Sequence, residues 1–415
     1  MSTDSANFPR PLPERPNLRH LKDQAKDLLR SGKVKSLTEA QFEIACLYGF
    51  ASWPKLKTHV DSLEEVGQLK QAIDANDLKR VKAMMTANPA LHRAPLGYNK
   101  DGPLSWVAEC RVPWGPPTVE RLAMAGWMID NGSDVHQGGD GPLMRAALVG
   151  HRIPMMELLV SRGANVNALW NGHFPIVFAP CESVEPLALQ WLLDRGADPN
   201  CTDPRQNQPG TALDYVIGSY ARSEKLGSCI EILLTAGGIT KYNIPPLLNL
   251  LRKRLDLLAE NVDAEPGLLD RRFPDFDFGN TAGRRLTLQG ATLLHVAAEY
   301  GNVGAAKLLL DRGADVNARA AVDQTGIGGQ TPIFHAATQF GDWGLPVAEL
   351  LLDRGADLTI RVKLPGHYER PDELVECTPL GYALRFPGAD EHSRGRLASN
   401  ESRSIALLRA RGAIE

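Results

Sequence analysis

The sequence predicts an all-α fold: a run of stacked two-helix repeats led by a small helical cap. Three observations carry this. The heptapeptide LLDRGAD occurs three times, at Leu192–Asp198, Leu309–Asp315 and Leu351–Asp357. A second motif recurs in phase ahead of it, as TLLHVAAEYG (Thr292–Gly301), TPIFHAATQFG (Thr331–Gly341) and TPLGYAL (Thr378–Leu384). Between the two motifs, apolar residues keep helical spacing, as in Val303-x-x-Ala306-x-Leu308-Leu309-Leu310.

Looser copies extend the pattern. The heptapeptide has relatives at Met128–His136, Leu158–Asn167, Leu233–Thr240 and Leu407–Glu415; the second motif has relatives at Gly102–Glu109, Gly141–Gly150 and Thr211–Gly218. The glycines that close the copies fall at 132, 163, 196, 237, 313, 355 and 412. The first intervals match a helix-pair repeat of about 33 residues, and the longer ones read as that unit plus insertions. Two further stretches, Gln68–Leu91 and Leu247–Leu269, have the same cadence with an NPAL or EPGLL turn in place of the glycine turn.

Each part of the repeat has a physical reason. Thr331 or Thr378 can cap a helix by accepting a backbone N–H. Pro332 or Pro379 then occupies the first helical position, where its missing N–H costs nothing. The alanine pairs Ala297–Ala298 and Ala336–Ala337 let a second helix pack closely. Gly313 and Gly355 follow a helix end, where glycine enters the left-handed region cheaply. Asp315 and Asn317 suit the next turn, since their side chains hydrogen-bond nearby backbone. One unit cannot bury its own apolar faces, whereas stacked units share a running core.

These motifs resemble the ankyrin TPLHxAA and LLxxGADxN signatures over residues 68–415. The resemblance implies an ankyrin-repeat solenoid over 66–415, about nine units with insertions. Residues 1–16 form a Pro-rich extended tail. Residues 17–65 form a helical cap: Leu18, Leu21, Ala25 and Leu28–Leu29 keep helical spacing, Thr38 caps a second helix, and Ser52 with Pro54 opens a third through Leu56 and Val60. The AQ…IA…YGF.SWP.LK.HV pattern there resembles the leader of many bacterial ankyrin-repeat proteins. Covering the first repeat's open face is its expected role, with a docking module as the alternative.

Composition narrows the function. The formal net charge is −3 across 415 residues, which argues against nucleic acid as a partner. Six scattered cysteines form no CxxC pair, so a reducing, cytoplasmic setting is expected and no metal site is indicated. No apolar run of about 18 residues exists, so no membrane span is expected. The first sixteen residues lack the apolar core of a signal peptide.

No catalytic motif is recognisable: HExxH, GxSxG, GxxxxGK[ST] and GxGxxG are all missing, and no cofactor is implied. Thr325-Gly-Ile-Gly-Gly329 reads as a hairpin tip. His295 stands at the histidine of TPLH, which in this family bonds backbone and threonine hydroxyl groups. His173, Cys181 and Glu182 could form a Cys–His–acid arrangement, against the blander reading of a buried free cysteine.

Binding residues are sought where the repeats differ. The position after TPLH reads Trp106, Arg145, Phe178, Tyr215, Val296, His335 and Tyr382. Packing between repeats explains this aromatic ladder; an aromatic groove for an apolar or cationic ligand is the sharper reading. Beyond the small pair lie Glu109, Glu182, Glu299, Gln339 and Arg385, which in family members face the concave surface. The insertion holding Trp170 and His173 adds a loop to that edge. The expected function is recognition of another protein by Trp170, His173, Tyr215, His335 and Tyr382, with Glu109, Arg145, Glu182, Glu299, Gln339 and Arg385 around them. The alternative is a small-molecule binder or enzyme using the same groove and its inserted loops.

Overall fold

The structure, a computed structural model, describes residues 10–13, 16–96, 101–206, 210–219, 221–279, 284–367, 370, 372–386 and 402–415. Residues 1–9 and 14–15 of the expected tail lie outside that set. The chain divides into two compact units, 1–137 and 138–415.

The first unit begins with α1 (Leu18–Arg30), α2 (Leu37–Leu47) and α3 (Trp53–Asp74). Asn17 opens α1 by accepting the Arg19 N–H at 2.7 Å. Ser36, not the expected Thr38, caps α2, accepting the Glu39 N–H at 3.1 Å. Ser52 caps α3 as its sequence suggests, from Lys55 N at 3.4 Å. Leu21, Ala25, Ala40, Ile44, Ala45, Tyr48, Leu56 and Val60 form the core of these three helices. The junction expected at 65–66 falls inside α3, which has 22 residues. Gly67 is the one weak helix former there, and a glycine costs only about 1 kcal/mol in a helix interior. One continuous helix therefore runs across the border expected between 65 and 66. Next come α4 (Leu78–Ala87), α5 (Pro103–Glu109) and α6 (Val119–Asp130). Buried Arg121 pins the loop before α6, donating from Nη2 to the Val112 carbonyl and from Nε to Asn76 Oδ1, each at 2.6 Å.

The second unit opens on α7 (Gln137–Ala147), whose Gly138, Gly139 and Asp140 are left-handed, so that regular helix starts after them. It continues with α8 (Ile153–Ser161), the hairpin β1 (Leu169–Trp170) and β2 (Phe174–Pro175), α9 (Phe178–Glu182), α10 (Pro186–Leu193), α11 (Ala212–Gly218), α12 (Leu226–Thr235), α13 (Pro245–Leu251) and α14 (Leu255–Ala264). Then follow α15 (Leu293–Glu299), α16 (Val303–Asp311), α17 (Pro332–Ala337), α18 (Leu345–Asp353), the hairpin β3 (Val362–Pro365) and β4 (Leu374–Cys377), α19 (Pro379–Arg385) and α20 (Arg403–Ala410). Helices come in consecutive pairs, short then long, and the two antiparallel hairpins fall in insertions.

Two devices set the spacing of the repeats. The first is the asparagine of the GADxN turn, which bridges to the next turn rather than its own. Asn167 donates to the Gly196 carbonyl at 2.9 Å and accepts from Asp198 N at 2.8 Å. Asn200 repeats this with Gly237 and Ile239, and Asn317 with Gly355 and Asp357. The second is the threonine–histidine pair. His295 Nδ1 accepts from the Thr292 N–H and hydroxyl, and Nε2–H donates to the Gln330 carbonyl at 3.0 Å. Thr378 caps α19 as expected, but Thr331 makes no capping bond and its hydroxyl is buried without a partner.

Candidate functional site

The hairpin β1–β2 and the short helices α9 and α11 bring one aromatic cluster together. Phe178 stacks on Tyr215 with ring centroids 4.6 Å apart, and Phe174 meets both edge-on at 5.8 Å. Trp170 lies edge-on to Phe174 at 6.0 Å, and the Arg145 guanidinium sits 5.2 Å from the Trp170 ring. His173 is 6.3 Å from Trp170, with Nδ1 bonded to the Asn171 carbonyl at 3.0 Å. Gly139 makes the hairpin's seat possible, since a Cβ there would stand 2.1 Å from the Leu169 carbonyl oxygen. Glu182 accepts the Tyr215 hydroxyl at 3.4 Å. Five of the expected residues, Trp170, His173, Tyr215, Arg145 and Glu182, thus share one half-buried surface.

Beside it opens a cleft of about 410 Å³, with Phe178, Glu182, Asp214, Tyr215, Ser219 and Tyr242 among its walls. Asp214 is committed to structure: it completes the Thr211 cap and accepts from Thr240 and Lys241 in the next unit. Lys241 pairs with Asp277 at 2.7 Å, and the Tyr242 hydroxyl bonds the same carboxylate.

The other expected residues are placed differently. Glu299, His335, Gln339 and Tyr382 were expected on an open groove and are buried. Glu299 receives both oxygens' worth of bonds from Arg284 Nη2, at 2.8 and 2.9 Å, with Arg222 Nη2 at 2.7 Å and His335 Nδ1 at 2.7 Å. Glu299, Arg284 and His335 side chains are 0% exposed. Burial alone would raise the Glu299 carboxyl, but Arg284, Arg222 and His335 hold it well below its usual range. For His335 burial wins over the pull of Glu299, so its pKa is lowered. Gln339 donates to the His335 carbonyl at 3.0 Å, and Tyr382 to the Pro365 carbonyl at 3.1 Å. Arg222, from the connection between α11 and α12, and Arg284, from the stretch between α14 and α15, close on this carboxylate. Arg385 is exposed and pairs with Glu373 at 3.1 Å. Glu109 is buried in the first unit, 3.3 Å from Arg111.

The Cys–His–acid arrangement does not form. Cys181 is fully buried, which pushes its thiol well above the ordinary range and keeps it protonated. Glu299 and His335 converge, but in a sealed interior. Among the described residues no His/Cys/Asp/Glu group could hold a metal ion, and no helix is long and apolar enough to cross a membrane. Thr325-Gly-Ile-Gly-Gly329 is a hairpin tip, where Asp323 Oδ1 accepts from Thr325 and Ile327.

Sequence reasoning missed two things. Arg222 and Arg284 reach Glu299 across 77 and 15 residues, and neither belongs to a repeat motif, so nothing local announces them. Trp114 stands 62% exposed in the first unit. Its Val-Pro-Trp-Gly-Pro-Pro setting, an aromatic residue in a helix-breaking run, was the available signal.

Comparison with known proteins agrees with the repeat reading. The ankyrin-repeat family model matches residues 138–171 as one repeat and residues 256–362 as three copies. No curated protein matches the chain. Among solved structures, the human ASB11 ankyrin repeat domain is similar at 20% identity, covering 76% of this chain and 99% of that one, with a TM-score of 0.32. The fold is all-α and built from ankyrin repeats.

Proposed function

We propose that this chain is a recognition module that binds another protein through the aromatic surface beside the cleft of the second unit. One observation carries the reading. Trp170, Phe174, Phe178 and Tyr215 form a continuous aromatic strip on short helices and a hairpin, with Phe178 buried beneath three partly exposed rings. Rigid aromatic side chains supply large contact area at small entropic cost and dominate interface energetics. Arg145 and Glu182 flank the strip with polar groups that suit a rim. Ankyrin repeats generally serve protein–protein contacts, which is consistent with this use. A reducing compartment is part of the reading, since all six cysteines are free thiols.

The test is affinity capture with the full chain as bait, read by quantitative mass spectrometry. A parallel bait carries W170A and Y215A and is first shown to keep the wild-type unfolding temperature. The reading expects at least one stoichiometric partner whose recovery falls on the order of tenfold with the double variant, as loss of two hot-spot aromatics would give. Equal recovery by both baits overturns it.

A further inference from the structure

We propose that Glu299 acts as a buried latch on the cleft: working through Arg222, it fixes the end of α11, whose last residues form the cleft wall. Calling the cleft a binding surface rests on the reading above; the latch itself does not.

A helix leaves its last carbonyls without intrahelical partners. The second helix of most repeats closes on a glycine with positive φ, such as Gly313 or Gly355, whereas the first helices close in varied ways. α11 closes without one: Ser219 follows it at φ −54°, ψ 140°, and the chain leaves extended. Its carbonyls are taken instead by side chains. The Tyr300 hydroxyl donates to the Ile217 carbonyl at 2.5 Å, and Arg222 Nη1 donates to the Ser219 carbonyl at 2.5 Å. On the opposite side, the Ser219 hydroxyl donates to the Glu182 carbonyl at 2.9 Å. Gly218 and Ser219 line the cleft, so these bonds set the position of its wall.

Arg222 can do this only because it is itself held. Its Nη2 bonds Glu299 Oε1 at 2.7 Å, its Nε bonds the Glu299 carbonyl at 3.3 Å, and its plane lies 4.4 Å from the Tyr300 ring. Glu299 in turn is oriented by Arg284 on both oxygens and by His335 on one. The connection reaches from the repeat of α11 to the repeat of α15, past the repeat of α13 and α14 that lies between them in sequence. A cluster of this kind is a poor device for bulk stability, because desolvating two guanidiniums and a carboxylate offsets most of their attraction. What it supplies is geometry, since planar guanidinium forks bond in fixed directions.

Hydrogen exchange on the intact chain, read by mass spectrometry, tests the latch without any partner. In E299Q and in R222M, amides of residues 212–222 should exchange on the order of tenfold faster, while α8 and α20 stay within about twofold of wild type. Y300F removes the bond to Ile217 and no charge, and should speed exchange in 212–219 by about threefold. R222K keeps the charge and loses the planar fork, so it decides the matter if E299Q and R222M do not fold: exchange in 212–222 should rise by about threefold. Unchanged exchange at 212–222, or an equal rise throughout 138–415, overturns the latch. Either failure leaves the recognition reading standing, because that reading falls only if the W170A and Y215A bait captures as wild type does.

Discussion

Glu182 and Glu299 occupy the same place in two repeats, just past the small pair, yet they meet opposite fates. Glu182 stays half-buried beside the cleft and accepts a tyrosine hydroxyl. Glu299 is sealed between two arginines and a histidine. The neighbouring ladder positions diverge the same way: Tyr215 keeps an accessible edge, whereas His335 has none. The difference lies in their partners: Arg222 and Arg284, neither in a repeat motif, reach Glu299 and not Glu182.

The largest expected contrast is therefore between the two glutamates. E299A strands two guanidiniums in the interior and should lower unfolding free energy by about 3–5 kcal/mol, as removing one partner of a buried pair does. E182A should cost less than about 1 kcal/mol, as partly exposed polar pairs do. Denaturant titration of both variants measures the gap, and equal losses would erase the distinction between sealed and open regions.

Acid provides the next contrast. His295 is lowered to about 3, chiefly by burial, with His335 nearby adding to it. A histidine whose folded pKa is depressed binds its proton more readily when unfolded. Its contribution is thus full above the unfolded value of 6.5 and is lost as pH falls toward the folded value. Between pH 6 and 4 His295 should remove about 1.4 kcal/mol of stability per pH unit. H295Q should reduce that slope by one proton. Parallel slopes for H295Q and wild type would contradict the sealed interior.

A smaller effect is expected where the repeats are bolted together. N317A loses the two bonds to the next turn and should cost about 1–2 kcal/mol. The same loss in N200A, on the cleft side, would show that the ladder serves both regions alike. The smallest effect belongs to Arg385, an exposed partner of Glu373: R385A should change unfolding free energy by no more than about 0.5 kcal/mol.

These contrasts also mark how far the sequence could be read. The repeat was legible because its periodic glycines, alanine pairs and TPL starts each meet a local backbone demand. The three leading helices were legible through helical spacing, but the end of the third was not, since Glu64–Gln71 contains nothing that ends a helix. Trp170, His173 and Tyr215, picked from the hairpin and first-helix positions of the repeat pattern, lie together on one half-buried surface. Glu299, His335, Gln339 and Tyr382 sit at equivalent positions and were misplaced. Their burial depends on two arginines whose approach is a tertiary event. Thr331 shows the same limit on a smaller scale, where a favourable capping residue leaves its hydroxyl unbonded.

The measurement that bears most directly on the central claim is site-specific photocrosslinking from inside the proposed surface. A benzophenone amino acid replaces Tyr215 in one form of the full chain and Arg385 in another, and both are irradiated in cell extract. The account predicts a discrete crosslinked adduct from position 215 and none from position 385. An adduct from position 385 alone, or the same adduct from both positions, would contradict it.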